Sequence, residues 1–275
     1  MPTFKASKSL HAVTLLALLM GGLQTVAAFG ADTNVKIAEP TLSPYRADYS
    51  AKFSGLSIEA VQRLEEIAPG IYRESLVAKN FLGKIDEQST FSLTDDQQLQ
   101  PTEYHYIRSI LGSTKTEVQN FDWQNKRIEY HKNEQLKEAD LQPGQLDMIT
   151  HRLQLRRDLK AGRKNLSYAV ISRGKLKKYQ YKIVAEEVLQ TAIGPLNTIK
   201  IEKVSDDDRE FTAWLASDWD YLIVKLVQSQ NGDSHKLELR SAVVNNQTVL
   251  PLGTEYQQQD QEQQTDHEKL DGSRL

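Results

Sequence analysis

The sequence predicts a mainly β protein, a β-dominated α+β fold in which a large curved antiparallel sheet or incomplete barrel of about a dozen strands surrounds one central helix. Three observations lead there. Apolar and polar residues alternate through most of 45–244, turn residues cut that stretch into short runs, and one segment only, Gln145–Leu159, changes to a helical period.

The first residues point to export. Lys5 and Lys8 precede the apolar run Ala12–Met20, and Val26-Ala27-Ala28 supplies a small-residue cleavage site, so residues 1–28 read as a secretory signal peptide. Gly21, Gly22, Gln24 and Thr25 interrupt the run well short of the roughly 20 apolar residues a membrane span needs. No transmembrane span is expected after cleavage, and the protein is placed in the periplasm, with secretion as the alternative. Cysteine is absent, which excludes a lipid-modified N-terminal Cys, disulfides, thiolate metal sites and a Cys nucleophile. Residues 29–44, small and polar with Pro40 and Pro44, form a leader linker.

A single β-rich domain then spans 45–244. Tyr45, Ala47, Tyr49, Ala51 and Phe53 alternate with Arg46, Asp48, Ser50 and Lys52, the period of a strand with one buried face. Gly55 ends it, residues 58–65 answer, and Pro69-Gly70 turns the chain into 71–79. Ile85, Glu87, Ser89, Phe91 and Leu93 share one face of the next strand, and Tyr104, Tyr106 and Ile110 share a face of 99–110. Residues 116–123 and 127–132 pair across Gln124-Asn125-Lys126, a tight polar connection of the kind hairpins favour.

The helix follows. Leu146, Ile149 and Leu153 form one apolar stripe, and Met148, Leu155 and Leu159 form a second on the opposite side. Such a helix either lies between two surfaces or kinks near Leu153 so that its halves bury different sides. Pro143-Gly144 precede it, Asp147 puts negative charge in the first turn, and Gly162 suits the position just past the C-terminus. Beyond it, Arg173-Gly174 separates strands at 166–172 and 175–184, and Gly194-Pro195 opens 196–204. Asp206-Asp207-Asp208 turns that strand into 210–215, Ser217-Asp218 leads to 221–229, and Asn231-Gly232-Asp233 joins it to 234–244. Residues 245–275 read as a disordered Gln/Asp/Glu-rich tail, too poor in apolar residues to repay its ordering entropy.

The formal net charge of −3 selects no partner, but its distribution is uneven: Arg152 to Lys182 holds eleven Lys or Arg and one acid, Asp158. Arg152, Arg156 and Arg157 on the helix, with Lys177 and Lys178 beyond it, can line a rim for a lipid phosphate or another anionic envelope component; nucleic acid is not an expected partner. A solvated helix face and a charged edge hairpin explain the same residues. Met148, Leu155, Tyr179, Tyr181 and Trp214 are the apolar candidates beside them, lining a pocket or packing as core.

Signatures of chemistry are missing. There is no G-x-S-x-G, phosphate loop, H-E-x-x-H or dinucleotide fingerprint. His105, His131, His151 and His235 stand at no metal-site spacing and read as solvated or singly bonded, and the acidic triplet lacks the spaced ligands of a calcium loop. No catalytic residue, metal or cofactor is expected.

Several ordered segments carry a resemblance: Phe121-Asp122-Trp123, Leu146-Asp147-Met148 through Leu153-Gln154-Leu155-Arg156, Leu189-Gln190-Thr191 to Gly194-Pro195-Leu196-Asn197-Thr198, and Trp214-Leu215-Ala216 leading to Asp220-Tyr221-Leu222. Over about residues 45–244 the chain resembles the exported bacterial family called domain of unknown function 3108, and that resemblance implies no activity and no catalytic residue. More loosely, the closing hairpins are similar to those of the LolA and LolB type of lipoprotein carrier, whose incomplete barrel folds over a helix and holds acyl chains. The expected function is therefore non-catalytic binding of an amphiphilic or anionic lipid-like ligand. The alternative is a structural or protein-interaction module of an envelope assembly with no small-molecule ligand. A cavity of about 300 Å³ or more beneath the helix separates the two.

Overall fold

A computed structural model describes residues 42–53, 56–133, 135–204, 209–231 and 233–254. The expected signal peptide, most of the expected leader linker, the acidic triplet and the tail from 255 onward lie outside the described residues.

Among the described residues sixteen strands and one helix follow one another. The first meander is β1 (Tyr45–Phe53), β2 (Leu56–Ala68), β3 (Ile71–Asn80), β4 (Gly83–Leu93), β5 (Leu99–Ile110), β6 (Ser113–Asp122), β7 (Arg127–Lys132) and β8 (Gln135–Asp140). A two-residue strand β9 (Gln145–Leu146) leads into α1 (Thr150–Lys160). The second meander is β10 (Leu166–Ser172), β11 (Lys175–Gln190), β12 (Pro195–Lys203), β13 (Arg209–Ala216), β14 (Leu222–Gln230) and β15 (Asp233–Val244), with the short β16 (Gln247–Thr248) after it.

All strands belong to one sheet, and β1 joins its halves by pairing with β2 on one side and β15 on the other. Neighbours are antiparallel throughout except β9, which runs parallel to β10. The sheet is not closed into a barrel, because its terminal strands, β8 and β9, are not paired with each other. They are joined in sequence by residues 141–144 alone, a link that can span at most about 18 Å, so the two edges must approach one another. Five register shifts, among them those at Asp48/Tyr49 and Thr90/Phe91, add local bend and twist. The two-residue period directs Ala47, Tyr49 and Ala51, then Ile58, Ala60 and Leu64, then Leu76 and Ala78 into a common core.

α1 occupies the concave side, with nine of its eleven residues buried. Both apolar stripes expected of this segment are covered, Leu153 at 2% exposure and Leu155 at 4%, and the helix runs unbroken through Leu153. The helix therefore lies between two surfaces and does not kink.

Its start differs from the expectation. Residues 145–146 pair with β10, and the first turn is organised by Asp147, whose Oδ1 accepts from the N–H groups of Ile149 and Thr150 at 2.7 and 2.8 Å. Thr150 Oγ1 accepts the Asp147 N–H in return, a reciprocal cap that sets the helix boundary five residues later than periodicity alone indicates. At the other end Gly162, at φ +72, lets its own N–H reach Leu159 O and that of Arg163 reach Asp158 O, closing a Schellman motif.

Three strands were not foreseen. β8 is exposed at every residue and so carries no alternation, while its Lys137, Glu138 and Asp140 blunt a free edge. β9 and β16 are too short for any period. The polar tail also begins later than composition implies: β16 pairs with β15 and Val249 is buried, so residues 245–254 are packed onto the domain.

Candidate functional site

The inward faces of β1 to β5 carry more than apolar residues. Gln62, Glu74, Glu87 and Ser89 occupy register positions that point at α1 and are buried, Glu74 and Glu87 at 1% exposure each. A buried carboxylate is tolerated only when charges or hydrogen bonds replace water, and here α1 supplies them. Arg152 Nη2 donates to Glu87 Oε2 at 3.0 Å, and Tyr104 OH donates to Glu87 Oε1 at 2.8 Å. Glu74 Oε1 accepts Tyr45 OH at 2.9 Å and the Gln62 amide. The Arg156 guanidinium lies 4.4 Å over the Tyr45 ring, and its Nε donates to the Asp220 carbonyl at 3.0 Å.

These contacts bind the helix to both halves of the sheet. Asp147 accepts Ser89 Oγ at 2.5 Å; Asp158 accepts from Tyr168 OH at 2.8 Å and from Arg163 at 2.6 Å; Lys160 pairs with Asp220. Burial raises the pKa of the Glu74 carboxyl, against the opposing pull of Arg152 and Arg156, and burial likewise raises that of Asp147. Around Arg152 burial works against the charge, yet Glu87 and Glu74 more than offset it and hold the guanidinium protonated.

His151 is fully buried, contrary to its reading as a solvated or singly bonded residue. Its Nδ1 donates to Asp147 O and its Nε2 accepts Tyr181 OH, both at 3.2 Å, within a cluster of Tyr168, Tyr179 and Tyr181 rings. Burial first, then the Arg152 charge, pushes its pKa down to about 3, so the ring is neutral. Among the described residues no group of three or more His, Asp or Glu side chains could hold a metal ion.

The predicted site residues therefore do not form a rim. Arg152 is nearly buried, and Arg156 and Arg157 are 7% and 4% exposed, because the helix face that carries them turns into the sheet and not toward solvent. Lys177 and Lys178 cannot act together, since adjacent strand residues face opposite ways: Lys177 is half-buried beside inward Tyr179, and Lys178 is exposed on the outer face. Trp214 is not a pocket residue either. Alternation with the inward Phe211, Ala213 and Leu215 sets it on the outer face, where its ring lies under Lys200 and Lys225 at 5.2 and 4.4 Å and its Nε1 donates to Glu187 at 2.5 Å.

Several of the candidates do reach interior spaces. Leu155 and Tyr181, with Arg152, line a cavity of about 50 Å³ between α1 and the inner face of β11 to β15, whose walls include Leu76, Ile201 and Phe211. Met148 lines a still smaller space with Tyr104 and Tyr106, and Tyr179 is buried against the His151 ring, outside the lining of either space. A larger cleft, about 450 Å³, lies at the C-terminal end of α1. Its charged side chains already have partners: Lys160 pairs with Asp220, and Asp218 accepts from the Asn197 amide. What sequence reasoning missed is the set of partners, Glu74, Gln62, Tyr45 and Asp147. The available signal was Glu87 and Ser89 sharing a strand face with Ile85 and Phe91.

A family model described as "Protein of unknown function (DUF3108)" matches residues 48–240. Among curated proteins no match is found. Among solved structures, a beta-barrel-like protein of domain of unknown function DUF1849 from Brucella abortus is similar at a TM-score of 0.51, with 13% identity over 74% of this chain and 98% of that one. The MucA/MucB complex of Pseudomonas aeruginosa aligns at a TM-score of 0.35, with 12% identity over 78% of this chain and 54% of that one. The first likeness is one of fold, and the second is too distant to carry an argument. No helix among the described residues is long and apolar enough to cross a membrane.

Proposed function

Because the chain belongs to the DUF3108 family, described only as proteins of unknown function, we propose a role from the site itself: a non-catalytic exported protein that acts through its outer surface, a structural or interaction module of the bacterial envelope. One observation carries this. The space beneath α1 is about 50 Å³, far below the roughly 300 Å³ of a small-molecule site, because the helix and its ion pairs fill it. Export is supported by Lys5 and Lys8 ahead of the apolar run Ala12–Met20 and by the small residues at Val26-Ala27-Ala28.

The amphiphile-carrier reading keeps one observation in its favour, the apolar lining of that same cavity with Arg152 at its wall. An acyl chain would have to displace α1, and so break the Arg152–Glu87 pair and leave both charges short of partners. The two are separated by titrating the purified protein with a fluorescent fatty acid and by mass spectrometry of lipids extracted from protein purified from its own envelope. Background signal in both is the expected result. A stoichiometric lipid, or saturable probe uptake, would replace the surface module with the carrier.

A further inference from the structure

We infer that the protein docks on an anionic lipid bilayer surface through the fused tips of the β3–β4 and β5–β6 hairpins. The two tips sit side by side at one end of the sheet and present Phe81 and Leu111, the two most exposed large hydrophobic side chains among the described residues, at 80% and 71%.

The tips are held together. Asn80 Oδ1 accepts the N–H groups of Leu82 and Gly83 at 2.9 and 3.1 Å, which fixes the first turn, and Leu111 N donates to Leu82 O at 3.0 Å, which ties the second turn to it. Gly83 permits this approach, because a Cβ there would lie 2.2 Å from Ser109 O. Two large apolar groups are thus carried on a braced platform.

Two features at the tips run against stability and point to a partner. Leu111 adopts φ +46, a left-handed conformation that Gly or Asn takes readily and a branched aliphatic residue does not. It is the only aliphatic residue among the positive-φ positions described, and its side chain gains no burial within the protein. Behind the tips, like charges stand opposite one another: Lys79 pairs in register with Lys84, and Arg108 with Lys115. Directly opposed like charges destabilise a sheet. Lys84 and Lys115 also reach back to Asp86 and Glu117, each farther from the tip.

Apolar side chains ahead of a ring of cations match the interface of an anionic bilayer, with Phe81 and Leu111 at the acyl boundary and the lysines at lipid phosphates. Nothing in this depends on whether the interior holds a ligand. The buried Arg152, Arg156 and Arg157 take no part.

The test is sedimentation of the purified protein with phosphatidylglycerol/phosphatidylethanolamine vesicles and with phosphatidylcholine vesicles. It is repeated for the double variant Phe81→Ser/Leu111→Asn and for Lys79→Gln/Lys84→Gln. Binding is expected on the anionic vesicles, weakened by about tenfold or more in the first variant and several-fold in the second. Asn suits the turn at 111, so a thermal melt at least as high as that of the parent keeps loss of binding from being loss of fold. Absence of vesicle binding by the parent, or equal binding by the Phe81→Ser/Leu111→Asn protein, overturns the inference. So does self-association through the tips without vesicle binding, seen by sedimentation velocity. Uptake of the fatty-acid probe unchanged in that variant would overturn the filled-interior proposal and leave the bilayer contact standing.

Discussion

Replacing Arg152 with methionine keeps most of the side-chain volume and removes the cation that answers Glu87. Glu87 and Glu74 are each 1% exposed, so neither can recover its solvation by turning to water. Breaking one side of a buried ion pair costs about 3–5 kcal/mol, more than the pair itself contributes relative to an apolar replacement. In a domain of this size that lowers Tm by roughly 10 °C. The deficit carries a pH signature through Glu74, whose pKa burial already raises and Arg152 helps to hold down. Without Arg152 the folded chain keeps that proton to still higher pH than the unfolded chain does. Stability of the variant relative to the parent therefore falls as pH rises from 5 to 8. Adding Glu87→Gln removes the orphaned charge and is expected to recover about half of the loss, so the two substitutions are strongly non-additive in a double-mutant cycle. Equilibrium urea unfolding followed by far-UV circular dichroism measures all four proteins at both pH values. A deficit under about 1 kcal/mol, equal at pH 5 and pH 8, would mean that water reaches this pair and that α1 is not held as described.

Two further substitutions test the packing. The unfolded His151 takes its proton near pH 6.5 and the folded one only near 3, so the folded state binds fewer protons between those values and stability falls as pH drops through that window. From pH 7 to 5 this is worth roughly 2 kcal/mol, and His151→Phe is expected to remove it from the urea-unfolding difference; an unchanged difference would show that the ring is hydrated. Gly174 adopts φ +66, and a Cβ there would lie 2.7 Å from the Tyr130 ring. Gly174→Ala is expected to cost about 1–3 kcal/mol in the parent and only about 1 kcal/mol in a Tyr130→Ala background, and equal losses in thermal melts of both backgrounds would remove the ring from the account.

Much of the architecture was legible in residue order. The alternation at Tyr45, Ala47, Tyr49 and Ala51 describes β1 as found, with all four buried. The steps at Gln124-Asn125-Lys126 and Arg173-Gly174 are turns as expected, with Lys126, Arg173 and Gly174 at positive φ. The candidate site was less legible. Glu74 sits on one strand face with Leu76 and Ala78, and its charge reads as solvated until the partner that approaches that face is known. Arg152, Arg156 and Arg157 have the same ambiguity. A basic helix face looks the same in sequence whether it meets water, a lipid or a buried acid, since the choice lies with residues such as Glu87 and Asp220, 65 and 64 positions away along the chain from Arg152 and Arg156.

By itself the sequence determined the period of each strand, the places where the chain reverses, and a helix with apolar residues on two sides. These are local properties, set by side-chain sterics and by the spacing of apolar residues along a few turns or a few pleats. Which face of each strand is concave, and what stands opposite the helix arginines, only the tertiary structure decided. The pairing of β1 with β15 unites the two meanders in one sheet, and the four-residue link between its edges places α1 among carboxylates it could not otherwise meet. Burial then turns charges that sequence reads as a binding rim into the fastening of the fold.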